Sequence, residues 1–127
     1  MNANDMNAKL EEINGRVNAL FHLSWMDQGR VDENLTRIWA VTCELQRALS
    51  APEVVAGYWR DALGQYNHLF EMVAGIGSAP SAEDLLAVAP AAELAYRRIE
   101  EYRQIVVFSV NAGRQAEVSD ELDRAAA

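Results

Sequence analysis

"VAGYWRDALGQYNHLFEMVAGI", residues 55–76, decides the fold. Val55, Trp59, Ala62, Tyr66, Leu69, Val73 and Ile76 recur at alternating intervals of 4 and 3, which returns one side chain per turn to a single stripe of a helix. A strand would need alternation with period two, and none is present. Just upstream, Ser50-Ala-Pro-Glu53 has the form of a capping box, with the proline in the first turn, where its missing N–H would have been unpaired anyway. Downstream, "GIGSAPS" (75–81) reads as a loop by its Gly, Ser and Pro content.

The same period extends in both directions. Met6, Leu10, Ile13, Val17, Leu20 and Ser24 form a first seam, widened toward its end by Phe21, Leu23, Trp25 and Met26, with a stop expected near Gly29. Asp32 is the expected N-cap of a second helix carrying Leu35, Ile38, Thr42, Leu45 and Leu49, with Trp39 on its flank. After the loop, Ser81 and Asp84 form another capping arrangement, opening a short helix through about Val88. Leu85, Val88, Ala92, Ala95, Ile99, Tyr102 and Val106 keep phase across Pro90. Either a kinked helix or two abutting helices would preserve that phase; a break near Ala89 is preferred, with Pro90 starting a long last helix that ends near Ala112 or Gly113. Glu12–Arg16, Glu33–Arg37 and Glu93–Arg97 add i,i+4 pairs on the polar side.

These elements predict an all-α, antiparallel up-down four-helix bundle with a short extra helix before the last long one. One domain spans 1–116, and 117–127 is expected to be a flexible acidic tail. At 127 residues a single core suffices without disulfides or metal. The lone Cys43 is expected to be a small buried core residue.

"IVVF" (105–108) departs from the one-sided pattern. Ile105, Val107, Phe108 and Val110 spread around most of the circumference of the last helix, and a helix apolar all round is buried all round. The expected covers are the C-terminal tail, the loop near Ala79 to Ser81, or a second protein chain. Phe21, Trp25 and Met26, in "FHLSWMDQG", are a second candidate contact, since aromatics and Met are enriched in binding surfaces. They also fit the wide end of a core stripe.

Charge and motif content narrow the function. Nineteen acids against 11 bases give a net charge of −8, and ten of those bases are arginines scattered from Arg16 to Arg124, so direct nucleic-acid binding is disfavoured. No apolar run reaches the ~18–20 residues needed to span a bilayer, and the N-terminus is polar and acidic, unlike a signal peptide; a cytoplasmic protein without membrane contact is expected. A metal site would have to be assembled from His22, His68, Glu71 and Cys43, and no spacing supports one. Glu11–Glu12 and Glu100–Glu101 sit on consecutive positions that diverge by about 100°, so they do not form acid/base dyads. No catalytic, cofactor or metal residue is therefore predicted. The expectation is a non-enzymatic protein-interaction module of the adaptor, chaperone, immunity or phage-inhibitor type, bound to another protein, basic in character, or paired as a homodimer. The alternative is an acidic mimic of nucleic acid, with a metal-binding bundle enzyme third.

Overall fold

The computed structural model describes residues 1–77 and 79–126, with the side chains of 117–121, 123, 125 and 126 outside that description. Four helices appear in chain order: α1 (Ala3–His22), α2 (Gln28–Glu44), α3 (Pro52–Ala74) and α4 (Ala82–Ala126), with a 3-10 turn at Gln46–Ala48 between α2 and α3. No strand occurs among the described residues, so the chain is an all-α bundle.

The seams are the core. Ile13, Val17, Leu35, Ile38, Val55, Ala62, Leu69, Ala95, Ile99, Tyr102 and Val106 are all at most 1% exposed. Cross-helix contacts fix the neighbours. Lys9–Glu44, Glu12–Arg37 and Arg16–Asn34 advance along α1 while receding along α2. Asn7–Arg114, Asn18–Arg103 and Phe21–Tyr96 do the same between α1 and α4. The α3–α4 contact is the most extensive, and α2 and α3, though consecutive, touch little. What joins α2, α3 and α4 is a column of rings: Trp39 stacks on Trp59 (centroids 5.4 Å, planes 14° apart), and Trp59 packs on Tyr102 at 5.1 Å. The Tyr102 hydroxyl meets Thr42 Oγ1, whose own proton goes to the Ile38 carbonyl at 2.8 Å. Both polar groups are thereby satisfied inside the core.

Helix ends depart from the sequence expectations for local reasons. α1 stops at His22, not near Gly29, because Ser24 Oγ accepts the Met26 N–H (3.2 Å) and the Ser24 carbonyl accepts the Asp27 N–H (3.0 Å), a turn that competes with helix. Asp27, not Asp32, then caps α2 by accepting the Arg30 N–H at 3.3 Å, which brings Val31 into the core. Ser50 does not cap α3. No side chain caps α3; Ser109 of α4 instead anchors the link that precedes it, its Oγ accepting the Ala51 N–H at 3.1 Å and its carbonyl the Ser50 N–H at 3.2 Å. The Ser81–Asp84 box forms as expected, with reciprocal bonds of 3.0 and 3.1 Å. The bond from the Ser81 N–H to the Asp84 carboxylate leads the contributions that hold that carboxyl below its ordinary range.

Two corrections concern α4. The break expected near Ala89, and with it the separate short helix, is absent: Ala82–Ala126 is one helix with Pro90 inside it. Pro90 is on the exposed side, and the carbonyl it leaves without a donor belongs to Leu86, a residue 76% exposed, so the lost bond falls on the solvent side of the helix. Leu85, placed on the seam by its spacing, is 42% exposed, so burial begins only at Val88. Nor does the helix end at Gly113, whose role is steric. A Cβ there would stand 2.5 Å from the Ala48 carbonyl oxygen. Ser109 and Gly113, one turn apart, thus form the small-residue notch that receives the 48–51 link. The tail expected to begin at 117 is helical in backbone through Ala126.

Of the three expected i,i+4 pairs, Glu12–Arg16 forms at 3.4 Å. Arg37 reaches across to Glu12 at 2.8 Å in place of Glu33, and neither Glu33 nor Glu93 has an ion-pair partner among the described residues. Cys43 is exposed, not buried, because Val41, Thr42 and Leu45 fill the inward positions of its turn.

One core group lacks a protein partner. Tyr66 is 1% exposed, its hydroxyl bonds to nothing among the described residues, and burial pushes its pKa up. An unpaired buried hydroxyl carries a desolvation penalty of about 1–3 kcal/mol. Tyr66→Phe is therefore expected to leave stability unchanged or raise it by about 1 kcal/mol in urea unfolding, against the loss that a satisfied buried tyrosine would show.

Candidate interaction surface

The four residues of "IVVF" have separate fates, set by their distance from the seam. Val106 is fully buried, and so is Val110 one turn later, which makes Val110 a core residue and not a surface one. Val107 is half-buried, on the stripe of Arg103, Val110 and Arg114 that runs along α1, where Arg103 donates to Asn18 and Arg114 to Asn7 (both 2.8 Å). Phe108 is two positions from Val106 and from Val110, about 200° around the helix, and it is 67% exposed. Ile105, three residues earlier on the same side, is half-buried. Within the chain, α1 lies along the Val107 side and the 48–51 link along the Ser109 side, and Phe108 is left uncovered.

Phe108 has company from another part of the chain. Tyr58 of α3 (37% exposed) joins Ile105, Phe108, Glu101 and Gln104 in lining a shallow open depression over the α3–α4 groove. Val54, one helical turn before Tyr58, is 48% exposed. The face is thus Val54 and Tyr58 from one helix and Ile105 and Phe108 from the other. Its rim is polar and already bonded: Arg98 donates to both Glu101 oxygens at 3.1 Å, and Gln104 donates to Glu100 at 3.4 Å. An apolar centre with a satisfied polar rim is the anatomy of a protein-binding patch. Fully burying a phenylalanine is worth roughly 1.5–3 kcal/mol, and most of that is unrealised here. Val54 and Tyr58 escaped the sequence reading because neither breaks the amphipathic pattern of α3; only the fold sets them beside Phe108.

The second candidate cluster is largely internal. Phe21 is half-buried and meets Tyr96 edge-to-face at 5.7 Å, and Trp25 is half-buried against the core. Met26, at 38%, is the exposed member.

The metal and acid candidates of the sequence stand apart among the described residues. His22, His68, Glu71 and Cys43 are all exposed, and no three His, Cys, Asp or Glu side chains converge. Glu100 and Glu101 turn to different arginines, Arg103 and Arg98. The Arg37 guanidinium, hydrogen-bonded to Glu12, holds that carboxyl below its ordinary range against the opposing pull of burial, and Arg37 is raised in turn. No helix among the described residues is long and apolar enough to cross a membrane. No family model matches the chain, and no curated protein or solved structure is significantly similar to it.

Proposed function

We propose that this protein is a small non-enzymatic interaction module that docks another protein on the α3–α4 face centred on Phe108. The observation that carries the reading is a phenylalanine 67% exposed in the middle of a long helix, flanked by exposed Tyr58 and Val54 of the neighbouring helix. The charge of −8 supports a partner with a basic periphery, steered by long-range attraction and held by the apolar centre. An adaptor, chaperone, immunity or inhibitor role, acting in the cytoplasm, fits these properties equally. Mimicry of nucleic acid ranks below it: it needs a row of free carboxylates along one face, and five of the 19 acids, Glu12, Asp27, Glu44, Glu100 and Glu101, are engaged by Arg or Lys.

Light scattering across a concentration range, run beside capture from the native host with wild-type protein and Phe108→Asp, tests the proposal. A complex, with itself or with a second protein, should form with wild type and persist at high salt, since apolar burial is not screened. Loss of the complex by 0.5 M salt would favour the mimic; equal capture by Phe108→Asp would remove the docking face.

A further inference from the structure

α2 and α3 make little contact, and between them and the 46–49 link lies a pocket of about 160 Å³ that is partly open to solvent. We propose that this cavity is a binding site for a small apolar molecule with a single aromatic ring, separate from the Phe108 face. The volume sets the size of the occupant: an enclosed engineered cavity of about 150 Å³ lined by apolar side chains takes up benzene, so this partly open pocket has room for one such ring.

The lining favours the same occupant. Val55 and Thr42 are its buried members, and Trp39, held in its stack on Trp59, forms an aromatic wall opposite Leu49. Thr42 is the one buried polar residue there, and its hydroxyl is already committed to the Ile38 carbonyl and the Tyr102 hydroxyl. The inner wall offers solvent few hydrogen bonds, so an apolar ring that displaces water there is favoured. Cys43 and Gln46 are exposed at the opening, where they can meet a polar substituent on the ring.

Helical geometry keeps this site apart from the docking face. Ala56, in the cavity wall, follows Val54 and precedes Tyr58 by two positions, about 200° around α3 from both. The two proposals therefore fail independently.

Toluene is the probe. Titration should produce a saturable, one-to-one change in tryptophan fluorescence, because Trp39 lines the cavity. Cys43 is the sole cysteine. Its alkylation by a maleimide should slow at least threefold at saturating toluene. Ala56→Leu, which fills the space, should weaken toluene binding at least tenfold while Phe108→Asp leaves it unchanged. Should Ala56→Leu fail to fold, Cys43→Met, an extension at an exposed position, should weaken the fluorescence response in its place. A linear, non-saturating response, unprotected Cys43, or binding indifferent to the filling variant would overturn the site.

Discussion

Gly113→Ala lowers the unfolding free energy by about 2–3 kcal/mol, whereas Gly64→Ala raises it by about 0.5–1 kcal/mol. Both glycines lie inside long helices, where propensity alone favours alanine at each. Their surroundings decide the sign. A Cβ on Gly64 meets nothing within 4 Å, while one on Gly113 lies 2.5 Å from the Ala48 carbonyl oxygen and 3.6 Å from its carbon. The obstacle is backbone, so no rotamer change relieves it. Moving the 48–51 link away stretches the bonds that Ser109 makes to Ser50 and Ala51, which hold the link against α4. Urea unfolding of the two variants beside wild type checks the pair. Equal stability of Gly113→Ala and wild type would show that the link is not seated against α4.

Val110→Asp abolishes folding, and Phe108→Asp, two residues away, changes stability by less than about 0.5 kcal/mol. Val110 is 0% exposed, and an unpaired carboxylate in that position costs more than about 4 kcal/mol, a large part of the roughly 5–15 kcal/mol that holds a domain together. Phe108 already faces water. Its replacement should leave helical circular dichroism intact and weaken the complex about 30-fold or more, the loss of a central aromatic worth 2 kcal/mol. Val107→Asp falls between them: half-buried beside α1, it should cost stability as well as binding. Unfolding of Phe108→Asp would place that ring in the core.

The seam of α3 was legible because burial and period are the same fact: Val55, Trp59, Ala62, Tyr66 and Leu69 are all buried as their spacing requires. The phase of α4 across Pro90 was legible for the same reason. What escaped was chemistry that several residues offer equally. Asp27 and Asp32 are equivalent N-caps to a sequence reader, and only the Ser24 turn selects the first. Gly113 looks like a stop signal because its partner, the Ala48 carbonyl, is 65 residues earlier in the chain. Cys43 looked internal because it neighbours seam positions without lying on one.

The proposed docking face was only partly marked in the sequence. "IVVF" announces excess apolar surface, and counting 200° from Val106 selects Phe108 as the residue facing out. Tyr58 and Val54 belong to the same face only through the α3–α4 packing, a juxtaposition of positions some 50 residues apart that no local pattern encodes.

A photo-crosslinking phenylalanine analogue at position 108, activated in the native host, measures the occupancy of this face most directly. The account predicts a discrete protein adduct, either a doubled mass or one second protein, that disappears when Tyr58→Asp is introduced in the same chain. Absence of an adduct at 108, or an adduct that survives Tyr58→Asp unchanged, would contradict it.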